Sequence, residues 1–216
     1  FRPLSGVDAQ GRGFDPNQSR SIETGAKFSL GAVEGTVSVF RVEQKNILVV
    51  DDPSAFTFAA AGKARSQGLE MDLQGELAGG LSLWASYAYV DARTSNSFND
   101  ANFGTPVPAG TRLLNVPQHS LSLQLVKSLP VAGRGLQVGG GLVHVAQRSG
   151  EFTTNFSLPA YTVARAFAAF DVTPSATLRL DVDNLFGETY FTNSFSSLWV
   201  QPGAPRSARV SAAFKF

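Results

Sequence analysis

Apolar and polar residues alternate along most of this chain with a period of two. Toward the end, Ala208, Val210, Ala212, Phe214 and Phe216 fall on one side, and Ser207, Arg209, Ser211 and Lys215 on the other. Leu178, Leu180 and Val182 alternate with Arg179, Asp181 and Asp183, and Leu69, Met71 and Leu73 alternate with Glu70, Asp72 and Gln74. Leu81, Leu83, Ala85, Tyr87 and Tyr89 share one face of a further run, and Leu121, Leu123 and Leu125 one face of the next. Successive side chains of a strand point to opposite faces of a sheet, so each run reads as a strand with one apolar and one polar face. The pattern predicts about nine strands, near 19–30, 35–48, 65–77, 81–94, 118–128, 135–147, 159–172, 176–189 and 204–216. Val37–Val42 and Leu136–Val145, the latter holding Gly139–Gly141, do not separate into two clean faces. Glycine inside a strand marks close packing or a bend.

The connections alternate as well. Gly31–Glu34, Ala78–Gly80, Leu129–Arg134 and Thr173–Ser175 are short, whereas Val49–Ala64, Ser95–Pro117, Arg148–Leu158 and Tyr190–Gly203 are long. Short turns at one end and long loops at the other are the rhythm of an outer-membrane barrel, whose long loops are extracellular. Most of the strands reach the ~9–11 residues that cross a bilayer at a tilt. Aromatic residues near strand ends (Tyr87, Tyr89, Phe186, Tyr190, Phe214 and Phe216) suit the interfacial girdles of such a barrel. A soluble β-sandwich also alternates, but it has no reason to keep this short–long order.

Composition narrows the reading. The 216 residues include no cysteine, which removes disulfides, thiolate metal sites and cysteine nucleophiles. Charged residues are 16% of the chain, below the ~25% usual in soluble domains. The net charge of +1 and scattered Lys and Arg give no basis for a nucleic-acid partner. Apolar stretches such as Ile47–Val50 fall far short of a spanning helix, and no signal peptide opens the sequence. It opens instead in a polar, Gly-containing loop, Leu4 to Arg20, which suggests that the natural chain starts upstream. Single-chain bacterial barrels use even strand numbers, and an open sheet leaves bare edges in lipid. An odd count is thus read as a fragment of a larger barrel, needing detergent and not closing by itself; one further strand would permit a self-closing barrel of ten. Residues 1–18 are expected to form an extracellular loop, and 19–216 the C-terminal part of the transmembrane barrel.

Candidate chemistry is sparse. Glu70, Asp72, Asp181 and Asp183 form i, i+2 carboxylate pairs on polar strand faces, and with Arg179 and Arg209 on neighbouring strands the expectation is cross-strand ion pairing rather than acid–base catalysis. The two histidines, His119 and His144, lie on separate strands without clustered ligands, so no metal site is expected. No Gly-x-Ser-x-Gly elbow occurs, and Gly139–Gly141 lacks the spacing of a phosphate loop. The loops are richer. Phe98, Asn102 and Phe103 lie in one, and Tyr190, Phe195, Trp199 and Gln201 in another. Rings beside amides suit a shallow site for an amphipathic ligand.

Several short motifs, taken in order, resemble TonB-dependent outer-membrane receptors. They are Glu23-Thr24-Gly25-Ala26-Lys27; Gln67-Gly68-Leu69-Glu70, followed by Leu83-Trp84-Ala85-Ser86-Tyr87-Ala88-Tyr89; and Asn115-Val116-Pro117-Gln118-His119. Leu158-Pro159-Ala160-Tyr161, Asn184-Leu185-Phe186 with Tyr190, and Pro202-Gly203-Ala204-Pro205-Arg206 complete the set. The last, after a Trp-containing segment, is most similar to receptors for ferric siderophores. One departure is Arg165, where the family often has an acidic residue. The resemblance implies roughly the last two-fifths of a 22-stranded barrel filled by an N-terminal plug. It further implies that the plug, the remaining strands and the TonB box lie upstream, and that a ferric siderophore is the cargo, bringing its own metal ligands so that the chain binds no cofactor. The expected partners are outer-membrane lipid, the plug, the TonB complex and the chelate; the lumen charges would meet the plug, and Phe214 and Phe216 would form the assembly signal. Rival expectations are a receptor for haem, cobalamin or a glycan, a small outer-membrane hydrolase, and an autotransporter-type translocator.

Overall fold

A computed structural model describes residues 8–52, 54–55, 57–100, 104–152 and 154–215. Phe216, Asn102 and Phe103 lie outside them. The strands are β1 Gln18–Leu30, β2 Val33–Asp52, β3 Thr57–Leu77, β4 Leu81–Thr94, β5 Phe98–Asn99, β6 Pro106–Val107, β7 His119–Val131 and β8 Arg134–Val145. There follow β9 Arg148–Ser149, β10 Ser157–Leu158, β11 Tyr161–Thr173, β12 Ala176–Asp183, β13 Phe191–Ser196, β14 Trp199–Pro202 and β15 Ser207–Phe214. Among the described residues, nine strands have eight residues or more and form the wall; the other six are short pieces within loops.

The wall is one antiparallel meander in the order β1-β2-β3-β4-β7-β8-β11-β12-β15, each strand bonded to the next in sequence. Three of its hairpins turn in two residues, at 31–32, 132–133 and 174–175. Gly31 has φ of 64°, and Ala132 with Gly133 have φ of 49° and 75°, the left-handed geometry that matches the twist of paired strands.

Register sorts the side chains into two faces. Glu70 stands opposite Ser38 and Ala88, Asp72 opposite Thr36 and Ser86, and Gln124 opposite Trp84 and Gly141. Arg165 faces Gly141, and Asp181 lies between Phe167 and Arg209. The opposite face carries Ile22, Val39, Leu69, Met71, Tyr87, Leu121, Leu123, Leu142, Ala164, Leu180 and Val210, an apolar band running across every wall strand. On the two edge strands its members are most exposed, Ile22 by 71% and Val210 by 66%. An apolar outside and a polar inside are the arrangement of a barrel in lipid.

The two strands whose pattern blurred now have a cause. Phe40 on the polar face pairs with Gly68, and Phe167 pairs with Gly139. A Cβ on Gly139 would sit 2.4 Å from Phe167 Cε1, so the glycine makes room for the ring. The interruption in alternation is therefore an aromatic ring laid over a glycine on the next strand.

Three boundaries differ from expectation. Residues 49–64 do not form a plain loop, because β2 and β3 continue to Asp52 and from Thr57. The apolar run Ile47–Val50 pairs with Phe58–Gly62 and buries Val49 and Val50, which favours a longer hairpin. At its tip, the backbone N–H groups of Ser54 and Ala55 donate to the Asp52 carboxylate and hold it below the usual carboxylate range. The strand expected over 176–189 ends at Asp183, because Asn184 turns left-handed (φ 49°) and its side chain ties Glu188 and Ala204. The last strand is shorter than 204–216, spanning Ser207–Phe214.

Candidate functional site

The three loops after β4, β8 and β12 meet above the second half of the wall and lock together. Asn115, left-handed at φ 61°, donates from Nδ2 to the Ser194 carbonyl at 2.7 Å and accepts the Ser194 N–H at 2.9 Å. Its own N–H donates to the Ser149 carbonyl at 2.9 Å. Ser194 Oγ donates to the Gly150 carbonyl at 2.7 Å. Arg148 makes the remaining tie, its Nη2 reaching the carbonyls of Phe191 at 2.6 Å and Thr192 at 2.9 Å.

Arg148 is the least expected residue of this cluster. It is 3% exposed, and its guanidinium carbon lies 5.5 Å from the Tyr161 ring centre. Burial pulls its pKa below the usual range, an effect that Tyr161 opposes. Nη1 has no hydrogen-bond partner among the described residues. No periodicity or motif marks Arg148 in the sequence; its role comes from a loop 43 residues away. Asn115, Asn184 and Ser194 were likewise absent from the candidate residues, although Asn115 and Asn184 belong to the motifs quoted above. Both are loop anchors, which accounts for their place in those motifs.

Below the locked loops, on the polar face, lies a cavity of about 530 Å³ lined by Tyr161, Val163, Arg165, Asp183, Tyr190 and Ser207, among others. Tyr190 packs against Tyr161 with ring centres 4.6 Å apart. Gly203 passes under the Tyr190 ring, where a Cβ would come within 2.1 Å of it. A second cavity of about 770 Å³ lies nearer the short turns, lined by residues including Lys27, Asp72, Gln74, Trp84 and Gln124.

The sequence-predicted loop residues separate into groups. Phe98 sits in β5 and packs edge-on against Phe152 at 6.2 Å. Gln201 accepts from Asn193 Nδ2 at 2.9 Å. Phe195 and Trp199 pack at 6.0 Å in an edge contact, and Trp199 remains 59% exposed. Asn102 and Phe103 are outside the described residues.

The charges on the polar face depart from the expected pairing across strands. Arg179 instead pairs with Asp181 on its own strand, with Nε to Oδ1 and Oδ2 both at 2.9 Å and Nη2 to Oδ1 at 2.7 Å. The i, i+2 positions share a face, and the guanidinium carbon lies over the Phe167 ring, 4.0 Å from its centre, which keeps the fork along the strand. Arg209 stands directly opposite Asp181, and Asp183 opposite Ser207. Arg165 donates from Nη2 to Gln124 Oε1. Glu70 and Asp72 have no ion-pair partner among the described residues. Nor, among those residues, do three His, Asp or Glu side chains gather into a metal-binding group. His119 and His144 lie on the apolar face; His119 Nδ1 bonds Tyr87 Oη at 2.8 Å and His144 Nδ1 bonds Thr162 Oγ1 at 2.9 Å.

Known proteins share both sequence and shape with this chain. The metal-pseudopaline receptor CntO of Pseudomonas aeruginosa is 36% identical over 220 residues, matching 100% of this chain and 30% of the relative. The probable TonB-dependent siderophore receptor PiuA of Acinetobacter baumannii is 27% identical over 217 residues, covering 97% of this chain and 28% of the relative. The crystal structure of PiuA superposes with a TM-score of 0.83 at 26% identity, over 97% of this chain and 30% of that one. The chain thus spans about 30% of the length of the curated relatives it matches. Such relatives are transport receptors of bacterial outer membranes, in keeping with an all-antiparallel wall that is apolar on one face and polar on the other. The family model "TonB dependent receptor-like, beta-barrel" matches residues 1–185, so this chain belongs to the TonB-dependent receptors and forms part of their outer-membrane barrel.

Proposed function

We propose that this chain is the C-terminal barrel portion of a receptor that imports a ferric siderophore through the outer membrane. The observation that carries the reading is the lock of three loops over the cavity that Tyr161, Tyr190 and Arg165 line. Loops tied to one another and to the wall hold aromatic and cationic groups in fixed positions, as recognition of a bulky anionic chelate requires. Phe195 and Trp199 are exposed at the tip of the β13–β14 hairpin and are assigned to first contact with the chelate; Phe98, Tyr190 and Gln201 support that surface.

The polar face lines the lumen, and Glu70, Asp72, Arg179, Asp181, Asp183 and Arg209 meet the plug domain there. That Glu70 and Asp72 have no ion-pair partner among the described residues supports the assignment, because lumen charges gain from opposite charges on a plug. Energy passed through TonB to the N-terminal region rearranges the plug, while the wall strands stay in place. Residues 8–17 are assigned to an extracellular entry to this part of the barrel, and Phe214 on the last wall strand to barrel assembly.

The test is uptake of radiolabelled ferric siderophores by cells carrying the full-length receptor. Saturable uptake that disappears without TonB is expected, and non-saturable or TonB-independent entry overturns the reading. Replacing Trp199 with Ala should weaken chelate binding at least roughly fivefold, the scale of an interface aromatic. The 36% identity to a metal-pseudopaline receptor favours one specific second reading, a chelate of that metallophore type. Competition between the two classes of chelate decides between them.

A further inference from the structure

The larger of the two lumen cavities takes no part in the loop lock. It measures about 770 Å³, lies on the polar face toward the short turns, and is lined by Lys27, Asp72, Gln74, Trp84, Ser122 and Gln124 among others. Register builds its floor. Gln74, Trp84 and Gln124 stand opposite one another on β3, β4 and β7, so the indole has a primary amide on each side. One step nearer the loops the same face carries Ser86 and Ser122, whose short side chains leave the ring open from above.

Trp84 differs from the other rings on this face. Phe40 lies over Gly68, Phe167 sits between Gly139 and Arg179, and Tyr161 packs on Tyr190. Trp84 has no ring or cation over it among the described residues and is 45% exposed. The polar groups beside it are free to bind as well. Arg165 passes over Gly141 and donates from Nη2 to Gln124 Oε1, which leaves the Gln124 NH2 group as a donor. Lys27, Asp72 and Gln74 have no side-chain hydrogen bond or ion pair among the described residues. An uncovered indole bordered by two amides, a cation and a carboxylate suits an amphipathic ligand, with an apolar or delocalised flank and polar groups along its rim.

The position of the cavity selects its occupant. Ser122 lines both this cavity and the one beneath the loops. Gln124, beside Trp84, is the next same-face residue on β7, roughly 7 Å farther along the strand. Cargo leaving the upper cavity toward the periplasm therefore meets Trp84 next. We propose that the lower cavity is a second cargo site, where the chelate stacks on Trp84 and bonds to Gln74, Gln124 and Lys27 once the plug has been drawn aside. This inference rests on the import of a chelate proposed above, and adds a relay point to it. Transfer between the two sites is non-covalent, and the cargo keeps its metal throughout.

The experiment uses cells carrying the full-length receptor with the photoreactive residue p-benzoylphenylalanine placed at position 84. Tritiated ferric siderophores of hydroxamate and catecholate type are the probes. Illumination should attach label to the receptor in energised cells with TonB and not in cells lacking it. Import without attachment overturns the second site, as does equal attachment with and without TonB. Capture of plug peptides in place of the chelate in energised cells also overturns it, and shows a seat for the plug instead. A receptor that imports neither chelate sinks the transport reading and this site with it. Should the labelled receptor lack the heat-modifiable gel migration of a folded barrel, the same photoreactive residue at position 74 serves. As a second readout, Trp84→Ala should lower the maximal uptake rate at least roughly fivefold while chelate binding to resting cells stays at the wild-type level. An unchanged rate, or equal losses in rate and in resting binding, counts against the proposal.

Discussion

Arg148 shows how much one side chain can hold in place. Its two hydrogen bonds reach consecutive carbonyls on the β13 edge, in an environment from which water is largely excluded. Charge-assisted bonds of this kind contribute about 1.5–3 kcal/mol, and removing the donor leaves both carbonyls short of a partner. Arg148→Met should therefore loosen the 191–202 hairpin by about 2 kcal/mol while leaving the wall intact. Hydrogen exchange should speed up in that hairpin and stay unchanged in β7 and β8; uniform protection would show that the loops hold without it. The Asp52 carboxylate makes a second residue-scale prediction. Its pKa lies below the ordinary value because two backbone N–H groups favour the charged form. The hairpin tip thus gains stability above the pKa of the unfolded chain and loses it as pH falls through the lower folded value. In a micelle-bound sample, the amide shifts of Ser54 and Ala55 should titrate below the usual range for aspartate, and a midpoint at or above that range refutes the idea.

At the scale of elements, the pairing of Phe40 with Gly68 and Phe167 with Gly139 links sequence irregularity to packing. Phe167 is covered on one side by the Gly139 strand and on the other by the Arg179 guanidinium, which in turn grips Asp181. Gly139→Val forces the ring away from the wall and disturbs that stack. Overpacking of this sort costs about 1–3 kcal/mol, so the variant should lose its heat-modifiable gel migration at a lower temperature than the wild type. An unchanged transition would mean that the ring has room to move. The glycine run was legible as an anomaly, but the ring that fills it sits on another strand and was not.

Across the whole molecule, the two faces make opposite demands on substitution. Leu123 belongs to the apolar band and Ser122 to the polar face, one residue apart on β7. An Arg at Leu123 should destabilise the folded receptor in bilayers by about 2–4 kcal/mol, whereas Arg at Ser122 should cost little. Denaturant unfolding of the two variants in lipid checks this, and equal losses would contradict the assignment of faces. Strand number, the alternation of faces and the short–long order of connections were readable because each depends on neighbours in the chain. The within-strand pairing of Arg179 was not legible because both within-strand and cross-strand partners share that face, and only the packing of the guanidinium over Phe167 chooses between them.

The sequence by itself determined that this chain is barrel wall, which residues meet lipid tails, and which family it joins, since a period of two is a local property of a strand. Only the tertiary structure decided that Asn115 meets Ser194 across 79 residues and that Arg148 is buried. It also decided that Trp84 lies between Gln74 and Gln124. Register and loop packing join residues that are distant in the chain, and alternation carries no information about which strand position lies opposite which.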